Sequence, residues 1–142
     1  MKLSTKTRYG TRAMLEMALN FDQGVVSTRQ IAAQQCVSPK YLEHLLAALR
    51  SANLVRSVRG AQGGHTLTRP PANINLREIH DAFEGPEGFV ACTTNPEVCD
   101  RTDSCPTRDV WAQMHAACME ILESMTLEDL ACRARSKQGI GE

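Results

Sequence analysis

The stretch SPKYLEHLLAALRSANLVRSVRGAQGGHTLT, residues 38–68, decides the fold. Ser38 is a preferred helix N-cap, and Pro39 suits the first helical position, where its missing N–H would go unbonded anyway. Leu42, Leu45, Leu46 and Leu49 then recur at helical spacing as a stripe to be buried, opposite Lys40, Tyr41, Glu43, His44 and Arg50. Asn53 suits a left-handed stop. Residues 54–59 are strand-prone, residues 60–64 place glycine at three of five turn positions, and residues 65–68 return as a second strand. A helix that runs into a hairpin becomes a winged helix-turn-helix if another helix precedes it. One does: Ser27-Thr28-Arg29-Gln30 has capping-box spacing and opens a short helix through Ile31, Ala32 and Cys36, whose thiol is expected in that helix's packing.

Outward from this unit, Ser4 and Thr5 offer N-caps for a helix carrying Tyr9, Ala13, Met14, Met17, Ala18 and Phe21, ended by Asp22-Gln23-Gly24. Pro70-Pro71 closes the hairpin, and Asn75 caps a helix with Leu76, Ile79 and Phe83. Residues 84–106 then lose all periodicity under Gly85, Pro86, Gly88, Asn95, Pro96 and Pro106. A structureless loop of that length is uncommon in a small domain unless it is functional or disordered. Val110, Trp111, Met114, Ala117, Cys118, Ile121, Leu122 and Met125 restore a helical stripe, and Thr126-Leu127-Glu128-Asp129 restarts a short final helix. No internal repeat is present. The expected fold is mainly α with a small β-hairpin wing. It divides into a winged helix-turn-helix over 1–83, a cysteine-rich loop over 84–106, a long helix and short terminal helix over 107–132, and a flexible tail over 133–142.

The chain of 142 residues holds 16 Lys+Arg against 16 Asp+Glu, but the balance hides a dipole. Residues 1–70 carry ten basic and three acidic residues, a net +7, and the remainder carries −7. A polyanion is the natural partner of the first half. No apolar run reaches the about 18 residues of a membrane span, and the first residues do not lead into an apolar leader. A cytoplasmic location follows as the expectation. Cys36, Cys92, Cys99, Cys105, Cys118 and Cys132 would then stay reduced, which favours metal or redox chemistry over a disulfide scaffold.

Two constellations carry chemistry. The first is the helix-turn-helix with its wing: an α-helix fits the DNA major groove, and Lys40, Tyr41, Glu43 and His44 lie at the end that meets bases. Glu43 can accept from a cytosine amino group while repelling phosphate, so it should make binding selective at a cost in affinity. Arg59 beside the glycine-rich turn is placed to enter a minor groove. The candidate DNA-binding set is Arg29, Ser38, Lys40, Tyr41, Glu43, His44, Arg59 and Gly60. The second constellation is Cys92, Cys99 and Cys105. Thiolates suit zinc or iron–sulfur clusters, and these gaps are wider than the tight spacing of zinc knuckles. No Gly-rich phosphate loop follows a strand and no Ser/His/Asp pairing is present, so no enzyme activity is expected.

Residues 1–9 (MKLSTKTRY), 38–43 (SPKYLE), 58–64 (VRGAQGG) and the three-cysteine loop together resemble the IscR/NsrR/RirA family of bacterial iron–sulfur winged-helix transcription regulators. The likeness extends to about Leu130, and the wing motif is its most specific part. It implies a homodimer built on the helix over 106–125, binding a palindromic double-stranded DNA operator. It also implies a 2Fe–2S or 4Fe–4S cluster on Cys92, Cys99 and Cys105 that alters DNA affinity. The expected function is a cluster-sensing repressor of iron–sulfur assembly, iron or nitrosative-stress genes. The chain departs from the pattern at the fourth ligand. Arg108 stands where IscR-type members place His, and Arg8 where NsrR-type members take a partner carboxylate. Asp109, Asp103, Glu97, His115, a small thiol or water could complete the site, Asp109 first by closeness; His115 is about 15 Å from Cys105 along a helix. Two alternatives stand beside this reading. One is a winged-helix protein with a structural zinc in the loop; the other is a cluster-free regulator acting through a partner protein.

Overall fold

The computed structural model describes residues 3–140. Six helices and one antiparallel hairpin follow in the order α1 (Thr5–Leu19), α2 (Thr28–Gln35), α3 (Pro39–Ser51), β1 (Val55–Val58), β2 (Gly64–Leu67), α4 (Leu76–Glu84), α5 (Pro106–Ser124) and α6 (Leu127–Ile140). The expected winged helix-turn-helix is present. No helix among the described residues is long and apolar enough to cross a membrane.

Helix starts obey the capping chemistry read from the sequence. Ser4, Ser27 and Ser38 each accept the N–H three residues on, at 3.1 Å. Only that first half of the box forms at Ser27, whereas Asn75 and Glu78 exchange both bonds, each at 3.1 Å. Helix α1 stops earlier than its apolar pattern suggests. The Asn20 side chain donates to the Glu16 carbonyl (2.8 Å), and Phe21–Gln23 tighten into a 3-10 turn.

Cys36 corrects an expectation. It closes α2 in the left-handed conformation (φ 55°), which turns its side chain away from the helix's buried face, and the thiol is exposed. Asn53 takes the left-handed turn expected of it (φ 58°).

The core forms where α1 lies against α2, α3, α4 and α6. Ala13, Met14, Met17 and Ala18 of α1 meet Leu42, Leu45, Leu46 and Leu49 of α3, all buried. Each fully buried leucine contributes about 1.5–3 kcal/mol, so the α3 stripe alone fixes that helix firmly. In the wing, Val55 pairs with Leu67 and Ser57 with His65. A third segment joins the free edge of β2. Val26 and His65 exchange backbone bonds of 2.9 and 2.8 Å, and a Cβ on Gly64 would collide with the Val26 backbone.

The C-terminal part differs from the sequence reading. The sequence pattern groups residues 126–132 with the long helix, yet Leu127 and Ala131 are fully buried and Leu127 lies in the core of the winged unit. Leu127 N–H bonds the Ile74 carbonyl and Leu76 N–H that of Met125, both at 2.9 Å, which turns α6 back onto α1. Nor does the chain fray at residue 133: α6 continues to Ile140, and the last two residues of the expected tail lie outside the described ones. Helix α5 buries only Met119, leaving Val110 (49%), Trp111 (39%) and Ile121 (60%) exposed.

One packing contact makes a sharp prediction. Gly10 faces the Phe83 ring so closely that a Cβ would overlap it. Gly to Ala inside a helix normally gains about 1 kcal/mol; overpacking costs about 1–3 kcal/mol. Gly10→Ala should therefore destabilise by denaturant titration, and Phe83→Leu in the same chain should recover part of the loss. A Gly10→Ala protein more stable than the parent refutes this packing.

Candidate nucleic-acid interface and thiol loop

The N-terminal turn of α3 and the tip of the wing expose most of the expected DNA-binding residues. Arg29, Ser38, Lys40, His44, Arg59 and Gly60 are all exposed. Ser38 Oγ accepts the Tyr41 N–H, so its own hydroxyl proton remains free for an acceptor such as a phosphate. Gly60 sits at φ 116°, a conformation that L side chains rarely adopt, and turns the chain right after Arg59. Among the described residues Arg29, Lys40 and Arg59 have no acidic partner within ion-pair distance. Their charges are thus uncompensated.

Two members of the set are not free surface groups. Tyr41 is half-buried against the core, edge-on to Tyr9 with ring centres 6.2 Å apart; the Arg12 guanidinium lies 5.1 Å over Tyr9. Glu43 keeps its side chain 49% exposed but is held. Thr28 Oγ1 donates to its Oε1 (3.0 Å), and Arg50 Nη2 lies 3.9 Å from Oε2.

Behind Glu43 stands His65, a residue that sequence reasoning passed over. Its ring is buried, with Nε2 at 2.7 Å from Thr28 Oγ1 and Nδ1 at 2.9 Å from Ser57 Oγ. Ser57 in turn accepts from Arg50 Nη1 at 3.1 Å. Burial holds the His65 imidazole below its ordinary pKa; the Glu43 charge opposes this and the Arg50 charge adds to it. The signal that finds it is the period-2 pattern of β2, which puts His65, a titratable group, on the same face as the apolar Leu67.

The cysteine loop is built of short 3-10 turns, Ala91–Thr93, Pro96–Val98 and Thr102–Ser104. Thr102 is buried at its centre, and its hydroxyl lies 2.7 Å from the carbonyls of both Pro96 and Cys99. Cys92 and Cys105 are half-buried and Cys99 is exposed. Cys105 occupies the N-cap of α5. The Thr107 hydroxyl, then the Arg108 and Thr107 N–H groups, hold its thiol below the ordinary value. That favours the thiolate that a soft metal requires.

Arg108 stitches rather than ligates: its Nε donates to the Cys92 carbonyl at 2.9 Å. Asp109 is exposed in the first turn of α5, and Arg8 is exposed on α1. His115 packs edge-on to Phe89 with centres 5.6 Å apart. Its ring borders a cleft of about 510 Å³ between α4 and α5, shared with His80, Glu84 and Cys118. The donor chemistry of the loop fits a thiolate-bound group. Among the described residues, however, no three His, Cys, Asp or Glu side chains converge closely enough to hold a metal ion.

Comparison with known proteins agrees with this geometry. The Rrf2 family profile, described as an iron-dependent transcriptional regulator, matches residues 3–133. Protein rrf2 of Nitratidesulfovibrio vulgaris (strain Hildenborough) is 38% identical over 130 residues, covering 92% of this chain and 87% of its own. The solved structure of T. potens IscR superposes with a TM-score of 0.81 at 39% identity, over 97% of this chain and 91% of that one. That of CymR (YrzC), the global cysteine regulator of B. subtilis, gives a TM-score of 0.81 at 40% identity, over 94% and 98%.

The buried His65 has a thermodynamic consequence. Its folded-state pKa lies below the ordinary 6.5, so on acidification the unfolded chain takes up a proton first. The unfolded state then binds more protons, and stability falls as pH drops through about 6.5 toward the lowered folded value. His65→Gln should flatten the acid-side slope of Tm against pH below about 6.5. Parallel slopes in parent and variant would show that His65 titrates alike in both states.

Proposed function

The chain belongs to the Rrf2 family of transcriptional regulators, and on that premise we propose that it is a homodimeric repressor reading a palindromic DNA operator. The observation that carries this is the cationic face formed by α3 and the wing. Among the described residues Lys40 and Arg59 stand there without acidic partners, beside Ser38 with a free hydroxyl proton. Phosphate contacts from Arg29, Ser38, Lys40 and Gly60 would position the protein. Glu43 and His44 would face base edges, with Tyr41 half-buried behind them, and Arg59 a minor groove. The work is binding rather than catalysis, and a DNA partner assigns it to the cytoplasm. The exposed Val110, Trp111 and Ile121 on α5 support pairing with a second copy through that helix.

Cys92, Cys99 and Cys105 are the proposed ligands of an iron–sulfur cluster, with Asp109 as the nearest candidate for the fourth position. Such a cluster, when bound, supplies a redox- and ligand-responsive centre at the start of α5. The chain's own residues make the loop a lever on the dimer. Cys105 occupies the N-cap position of α5, Arg108 ties α5 to Cys92, and Thr102 braces the carbonyls of Pro96 and Cys99. The genes such a regulator would control, from the resemblance, serve iron–sulfur assembly, iron supply or nitrosative stress. A second reading has one observation in its favour, since the three sulfurs do not converge in this chain alone. Under it the loop binds no metal and engages a partner protein; a structural zinc, the other alternative to a cluster, would need the same three sulfurs drawn together.

If phosphates supply much of the affinity, log K falls linearly with log[salt], and each lost phosphate contact reduces the slope by about 0.9. Lys40→Ala should weaken binding to an operator selected from random duplexes and reduce that slope. Arg59→Ala should do so most on A/T-rich flanks. Salt-independent binding, or no selectable operator, ends the DNA reading.

The loop is tested by iron, sulfide and zinc content of anaerobically purified protein, for the parent and six single Cys→Ala variants. Cys92, Cys99 and Cys105 variants should lose iron, and Cys36 and Cys132 variants should keep it. A metal-free parent selects the second reading, and stoichiometric zinc selects the structural-zinc alternative.

A further inference from the structure

We propose that His65, buried with its Nε2 4.0 Å from Glu43 Oε1, is a specificity-determining positioning residue. It holds Glu43 in place through a one-directional chain of hydrogen bonds from Arg50 to Glu43. The inference rests on the DNA-binding reading above and names the residue that governs its selectivity.

The chain's polarity follows from its two ends. A carboxylate only accepts and a guanidinium only donates. Glu43 must therefore receive the single hydroxyl proton of Thr28, 3.0 Å away. With that proton spent, the 2.7 Å contact between Thr28 Oγ1 and His65 Nε2 is a bond only if Nε2 carries hydrogen and donates. A neutral imidazole protonated at Nε2 leaves Nδ1 bare, so Ser57 donates to it across 2.9 Å. The Ser57 oxygen is then left to accept from Arg50 Nη1 at 3.1 Å. Every member is satisfied, and no orientation is free. Arg50 and Glu43, 3.9 Å apart on the same helix, close the loop.

This loop joins four pieces of backbone: Thr28 opens α2, Glu43 and Arg50 lie on α3, and Ser57 and His65 pair across the wing. The His65 backbone is fixed independently by its two bonds to Val26. The anchor is thus rigid, and the exposed carboxylate at its far end inherits that rigidity. A carboxylate held at one point can reward a cytosine amino group and repel acceptor edges there; one free to swing away cannot. Without the chain, Glu43 would be a solvated charge with little power to discriminate.

The test is a set of double-mutant cycles on the full chain, using the operator selected by the parent and duplexes with single base changes within it. Thr28→Val removes only the hydroxyl link, and His65→Phe removes the anchor. Each should relax discrimination at the base position governed by Glu43 by about five- to tenfold, the scale of one base contact. Added to Glu43→Ala, neither should relax it further. Nitrogen NMR of the parent at neutral pH should show His65 neutral with its proton on Nε2. If His65→Phe does not fold, Thr28→Val carries the cycle alone. Additive effects, unchanged discrimination in Thr28→Val, or a proton on Nδ1 each overturn the proposal. A parent with no operator overturns the DNA reading and this specificity role with it, while the proton on Nε2 then stands as a structural result only.

Discussion

Enclosure of α1 is the constraint on which the remaining architecture depends. One face of that helix meets the leucine stripe of α3, and others meet α4 and the returning α6. Because α1 has no room to shift, the angle of α3 is set by packing, and with it the direction in which Lys40 and His44 project. The contacts are local in chemistry and distant in sequence: Gly10 accommodates Phe83, and the Ser4 N–H and Thr7 hydroxyl both bond Glu84. The Ser4 side chain, then the Thr7 hydroxyl and the Ser4 N–H, hold the Glu84 carboxyl below its usual range, and these contacts fasten the start of α1 to the end of α4.

The unit of α2, α3 and the wing is therefore stiff where it is buried and polar where it is exposed. Its wing does not stand alone, since an isolated two-stranded hairpin is marginal in water. The Val26 bridge adds a third segment, and the His65 loop adds side-chain bonds to α2 and α3. Wing, α2 and α3 are thus tied into one body. That rigidity is what a groove-reading surface needs, because it removes the entropy that flexible contacts would lose on binding.

The cysteine loop obeys different physics. It contributes almost nothing to the core, and its order comes from hydrogen bonds around Thr102 and from the Arg108 tether. Segments with few buried apolar contacts open at low cost. A loop of that kind, continuous with a helix whose apolar face is exposed, can transmit a change in its own shape to whatever α5 packs against.

Much of this was legible in the residues themselves. Caps at Ser4, Ser27, Ser38 and Asn75, the leucine period of α3, the left-handed Asn53 and the glycine turn of the wing are rules of local stereochemistry, which need no knowledge of distant contacts. The candidate interface followed, because exposed residues on an amphipathic helix are the complement of its buried ones. What only the tertiary structure decided were pairings across long separations. These include the return of Leu127 and Ala131 into the core, the held state of Glu43, the half-burial of Tyr41 and the tether from Arg108 to Cys92. Periodicity names the face of a helix that is buried, but not the surface that buries it, because that depends on where the other helices come to rest.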